Sequence, residues 1–245
     1  MVVEHFLDQE FVRKYVEKGP ACFVPGFEAL HRMTAILLAE HVPADGRLLL
    51  LGAGGGHELT RLASHQAGWR FCAVDPSEQM IGAARYRMDQ QGDAERVDWV
   101  CGLIDDAPAG PFDGATCLLT LHFVPDDGGK LETLRSIRQR LQPGAPFVLV
   151  DLCTDRAAPG FDRAVHRYGQ YAALTGAEPD DVEQTTGRIR QGHLNSVPPE
   201  RNLDLFREAG FESIELFYAG LSWRGWIMRN PNGSAGAMAR TTGVG

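Results

Sequence analysis

Three glycines spaced two residues apart, with an aspartate nineteen residues past the last of them, form the densest chemical signal in this 245-residue chain. They lie in LLLLGAGGGHE (residues 48–58), where Gly52, Gly54 and Gly56 let the backbone turn tightly and approach a ligand closely. The spacing is G-x-G-x-G. A dinucleotide fingerprint counted from Gly52 needs a glycine at 57, where His57 stands, and no Lys-Ser or Lys-Thr follows to grip a phosphate as a P-loop does. Asp75 ends the run RFCAVD, and an acid there can accept hydrogen bonds from both hydroxyls of a ribose. Alone, the turn also fits a structural corner between strand and helix, and Asp75 also fits a helix N-cap. The two at this spacing, with a helix behind, favour a nucleoside site.

A second set of groups could run chemistry beside it. His122, in TLHF, follows an apolar run and could take a proton from a bound substrate, although a hydrogen-bonded structural histidine reads as well. Asp151 ends another apolar run near the same crevice. Tyr168 and Tyr171 stand at i and i+3 and so share a helix face, one that packs in most proteins but can also embrace a cation. Tyr15 and His193 complete the polar candidates, whereas Met80, Met88, Trp223 and Trp226 read as apolar core. The five cysteines form no C-x-x-C pair. Four of them (72, 101, 117 and 153) fall in or beside strand-like runs, the pattern of reduced thiols in a cytoplasmic protein rather than of a disulfide framework or a metal site.

These groups need an alternating scaffold. Helix-period segments at 4–18 (Phe6, Leu7, Phe11, Tyr15) and 27–41 (Leu30, Met33, Ile36) are separated by GPACFVPG. Then come a strand at Leu48–Leu51, a helix from about Glu58, and the strands RFCAVD, VDWVC, DGATCLLTL and APFVLVDL, with helical runs between. Strands alternating with helices, each strand continuously apolar, predict a Rossmann-like, doubly wound parallel α/β sheet covered on both faces. Residues 160–192 read as helices outside the sheet, and FESIELFYA with LSWRGWIMR as an antiparallel pair completing it. The expected layout is one domain, 1–229: an N-terminal helical lid (1–45), a nucleotide-binding core (46–152), a helical insertion (153–197), a final helix and hairpin (198–229), then a disordered tail at 230–245. RSIRQRLQP reads as a solvated helix face. The net charge of −8 gives no global attraction to nucleic acid. No run reaches the length of a membrane span, and the N-terminus lacks signal-peptide features.

LLLLGAGGG, FCAVDPSEQMI and FDGATCLLTLHFVPD with LRSIRQRLQPGAPFVLVD resemble, in order, the motifs of class I S-adenosylmethionine-dependent methyltransferases, over roughly residues 20–229. The resemblance implies a seven-stranded sheet with its last strand antiparallel, and S-adenosyl-L-methionine as cofactor. It implies that Gly52, Ala53, Gly54 and Gly56 hold the donor with Asp75 and Pro76, that adenine lies by Met80, Gly102, Leu103 and Ile104, and that Leu118 to Thr120 flank the methionine arm. VPGF, YGQYAALTGAEPDDVEQ and LFREAGFESIELFYAGLSWRGWIM are similar to the carboxy-S-adenosylmethionine synthase branch, which acts in tRNA wobble-uridine modification and forms homodimers. Thr186 stands where that branch has its carboxylate-holding arginine, with Arg188 and Arg190 close but out of register, so the branch's architecture is expected without its chemistry.

The expected activity is methyl transfer to a small molecule in a pocket built from the N-terminal helices and the insertion, with His122, Asp151, Tyr168 and Tyr171 as the catalytic candidates. Leu50 opens an alternative, because many relatives carry there an acid that helps hold the donor's ammonium. Without it the amine deprotonates more readily and can attack its own γ-carbon, closing a four-membered ring and releasing methylthioadenosine; an external nucleophile can also take that arm. Carboxy-S-adenosylmethionine synthesis and a non-catalytic scaffold complete the alternatives.

Overall fold

The computed structural model describes residues 9–232. Three helices precede the sheet: α1 (Gln9–Glu17), α2 (Gly19–Phe23) and α3 (Phe27–Ala39). The segment GPACFVPG is thus not a plain break. Pro20 occupies the first turn of α2, where a missing N–H costs nothing. Phe6 and Leu7, and the side chain of Phe11, lie outside the described residues.

The core runs β1 (Arg47–Leu51), α4 (His57–His65), β2 (Arg70–Asp75), α5 (Glu78–Gln91), β3 (Val97–Cys101), β4 (Gly114–Leu118), α6 (Gly129–Gln139) and β5 (Pro146–Leu152). After it come α7 (Phe161–Leu174), α8 (Pro179–Gln191), α9 (Pro199–Glu208), β6 (Glu212–Gly220) and β7 (Trp223–Arg229). The strands form one seven-stranded Rossmann-like sheet in the order β3-β2-β1-β4-β5-β7-β6. Strands β1 to β5 are parallel, and β7 enters antiparallel between β5 and β6.

Strand β1 shows why its leucines are unbroken. Leu48 and Leu50 face one side, packing with Leu30 and Leu38 of α3, Leu59 and Leu62 of α4, and Ala84 and Met88 of α5. Leu49 and Leu51 face the other, with Leu134 and Ile137 of α6 and Leu205 and Phe206 of α9. A strand buried on both faces has no polar positions to alternate with.

Two expectations change. The basic run on α6 is not a solvated face throughout. Arg138 donates to Asn230 Oδ1 (3.3 Å), and Arg140 donates to the Ser136 carbonyl (3.0 Å) and the Ala107 carbonyl (3.3 Å). Asn230, assigned to a disordered tail, is buried and donates to the carbonyls of Leu141 (2.9 Å) and Gln142 (3.0 Å); residues 233–245 of that tail lie outside the described residues. Cys101 is exposed, while Cys22, Cys72, Cys117 and Cys153 are buried free thiols. Among the described residues no helix is long and apolar enough to cross a membrane.

Candidate active site

The strand order reverses between β1 and β4, and in an open α/β sheet the crevice at the carboxyl ends of those strands is where ligands bind. A cavity of about 370 Å³ lies there, lined by Gly52, Ala53, Gly54, Asp75, Pro76, Met80, Gly102, Leu103, Ile104, Leu118 and Thr120. With Leu119, all but one of the residues expected around the donor thus share one space. Gly56 does not line it. A Cβ on Gly56 would meet the Cα of Ala84 at 2.8 Å, so this glycine lets α4 pack on α5. Gly54, at φ +50°, is the open one: a Cβ there meets nothing nearer than the Gly52 carbonyl at 3.7 Å and Met80 Cε at 3.8 Å.

Asp75 does structural work at the same place. Oδ2 accepts from the Gly54 N–H (2.9 Å) and Oδ1 from the Ser77 N–H (2.9 Å), tying the glycine turn to the start of α5. Burial raises its pKa, opposed by those two bonds. Each oxygen keeps a further lone pair, so the carboxylate can still accept a ribose hydroxyl. Helix α1 closes over the turn because the Val16 carbonyl accepts from His57 Nε2 (2.8 Å) and from Arg87 Nη2 (2.9 Å). His57 therefore ties α1 to the glycine turn. Tyr15 of α1 faces the cavity, its pKa pushed up to about 12 by burial, with the Asp75 charge adding.

A second cavity, also about 370 Å³, adjoins the first; Tyr15, Pro20, Leu119 and Phe123 line both. Its walls come from α1, α2, α7 and α8 and include Phe23, His122, Tyr168 and Trp223. Tyr168 stacks on Phe23 with ring centroids 5.5 Å apart. Trp223 is not plain core, since its ring lies edge-on to His122 at 5.6 Å. Tyr171 lines neither cavity, so α7 does not present its two tyrosines to one space, and His193 is exposed. Thr186 turns its hydroxyl back to the Val182 carbonyl (2.8 Å) within α8, while Arg188 lines the second cavity.

His122 and Asp151 are brought together. His122 Nδ1 lies 2.7 Å from Asp151 Oδ1, which also accepts the His122 backbone N–H at 2.9 Å. Both residues are buried. The bond to Nδ1 fixes the ring and leaves Nε2 as the basic nitrogen. The turn carrying His122 is held from two further sides: Lys130 Nζ, itself fully buried, donates to the Leu121 carbonyl (2.6 Å), and the Asn195 N–H donates to the His122 carbonyl (2.7 Å). Between β4 and this turn Leu119 adopts φ 57°, a left-handed conformation rare for leucine, at the wall shared by the two cavities. A fixed imidazole–carboxylate pair at the wall of a cavity can remove a proton from a bound hydroxyl.

Residues 49–147 match the family described as a methyltransferase domain. The chain is 27% identical over 183 residues to a ubiquinone biosynthesis O-methyltransferase of Aromatoleum aromaticum, covering 74% of this chain and 69% of that protein. It is 22% identical over 234 residues to a carboxy-S-adenosyl-L-methionine synthase of Chromohalobacter salexigens, covering 90% and 84%. In fold it is similar to human N-acetylserotonin methyltransferase solved with SAM, at a TM-score of 0.56 and 15% identity, covering 92% of this chain and 57% of that one.

Proposed function

We propose that this chain, an S-adenosylmethionine-dependent enzyme of the class I methyltransferase fold, transfers a methyl group to the hydroxyl of a small aromatic molecule, with His122 as general base. The observation that carries this reading is the buried His122–Asp151 pair at the wall of an aromatic-lined cavity that adjoins the glycine-turn cavity.

The residues of the first cavity suit the cofactor. Gly54 leaves the turn open, Asp75 offers acceptors to a ribose, and Met80, Leu103 and Ile104 offer apolar surface to an adenine. S-adenosylmethionine supplies a methyl carbon already activated by its sulfonium. What remains to the chain is to align the acceptor, exclude water and remove the hydroxyl proton. Phe23, Phe123, Tyr168 and Trp223 give the second cavity flat apolar walls for a ring. His122 Nε2 would receive the proton, and Asp151 would hold the imidazole and stabilise its charged form, as a buried carboxylate does for a catalytic histidine.

A phenolic acceptor is therefore expected to change the fluorescence of Trp223 saturably. Titrating catechol-type compounds into the wild-type protein and into Trp223→Phe checks this. A saturable signal lost in the variant supports the pocket; an undiminished signal in Trp223→Phe places the ring elsewhere.

A further inference from the structure

Glu58, in the first turn of α4, is only 5% exposed, yet it lines the first cavity. Its Oε1 is buried with no hydrogen-bond partner among the described residues. Burial raises its pKa to about 7, opposed by a side-chain hydrogen bond with Thr116, whose hydroxyl has no other partner. A buried carboxylate oxygen left unpaired is costly, and such a group persists where a ligand completes it.

Its place in the fold identifies the ligand group. Thr116 of β4 is the register partner of Leu50 of β1, so the two side chains leave the same face of the sheet. That face is the one α4 covers. Glu58 thus brings a carboxylate from the helix to the place where a strand residue at position 50 would have brought one. Of the four carboxylates that line the cavity, Asp105 and Glu132 are exposed and Asp75, at the end of neighbouring β2, is tied to backbone N–H groups; Glu58 is the buried one with an unpaired oxygen.

We infer that Glu58 pairs with the ammonium of the amino-acid arm of S-adenosylmethionine. The inference rests on the first cavity being the donor site. It bears on the route to methylthioadenosine, since a carboxylate beside the amine keeps it protonated and unable to attack the γ-carbon.

Calorimetry with S-adenosylhomocysteine and methylthioadenosine tests it, because only the first carries the amino-acid arm. Glu58→Gln, close in shape and uncharged, is expected to weaken S-adenosylhomocysteine by about 10- to 100-fold, the range for a lost bond between charged groups, and to leave methylthioadenosine within about twofold. Its melting temperature at pH 7 should stay at or above that of the wild type, because a buried charge has been removed. Equal weakening of both ligands, or of neither, overturns the inference. So does weakening of S-adenosylmethionine without S-adenosylhomocysteine, which would assign Glu58 to the sulfonium. Failure of the wild-type protein to bind S-adenosylhomocysteine would overturn the donor site as well, whereas binding indifferent to Glu58 overturns this inference alone.

Discussion

Replacing His122 by asparagine is expected to slow methyl transfer by about 10²–10⁴-fold, the usual contribution of a positioned general base. Asparagine is the informative substitution because its amide nitrogen stands near the place of Nδ1 and can still donate to Asp151 Oδ1, while nothing replaces Nε2. The buried carboxylate keeps a partner, and the backbone bond from residue 122 to Asp151 is untouched. S-adenosylhomocysteine affinity should therefore hold within about twofold, since the first cavity is not altered. The loss should shrink for an acceptor acidic enough to be ionised at the assay pH, because such a hydroxyl needs no base. Steady-state rates with a strongly acidic and an ordinary phenol check both points. Equal losses for the two would leave His122 a structural role only.

Gly54→Val carries the second large effect. The glycine borders open space, with its nearest neighbours at 3.7 and 3.8 Å, so a branched side chain would project into the first cavity. Donor binding is expected to fall by about 100-fold or more, because overpacking costs up to about 3 kcal/mol even where neighbours can shift. The left-handed backbone adds strain of about 1–2 kcal/mol for any side chain. Gly54→Ala separates the two contributions. It shares the strain and should melt at a similarly lowered temperature, but its single methyl should cost far less affinity. If Gly54→Val binds S-adenosylhomocysteine as the wild type does, the turn is only a corner of the fold.

What could be read from the sequence follows from how local each feature is. The apolar run into Gly52-Ala53-Gly54, and Asp75 at the end of the next strand, are encoded within a βαβ unit, and the structure joins them through one bond from the Gly54 N–H to Asp75. His122 is legible as a polar residue just past a strand, and Asp151 as one near the end of the next. Their pairing is not, because it depends on β4 and β5 being neighbours in the sheet. Shared helical spacing misled for Tyr168 and Tyr171: residues at i and i+3 are offset around the helix, and of the two only Tyr168 lines the second cavity. Gly56 read as part of the ligand turn because a glycine needed for helix packing has the same signature. Glu58 was missed because an acid in the first turn of a helix normally serves the helix dipole from the surface. Its burial is set by the neighbouring strand.

The reaction itself is tested most directly by supplying S-adenosylmethionine isotopically labelled at the methyl group together with a phenolic acceptor, and identifying both products by mass spectrometry. Methyl transfer predicts unlabelled S-adenosylhomocysteine and a labelled methyl ether in equal amounts. Methylthioadenosine carrying the label, formed with or without acceptor, would show that the amino-acid arm is used instead and would contradict the account.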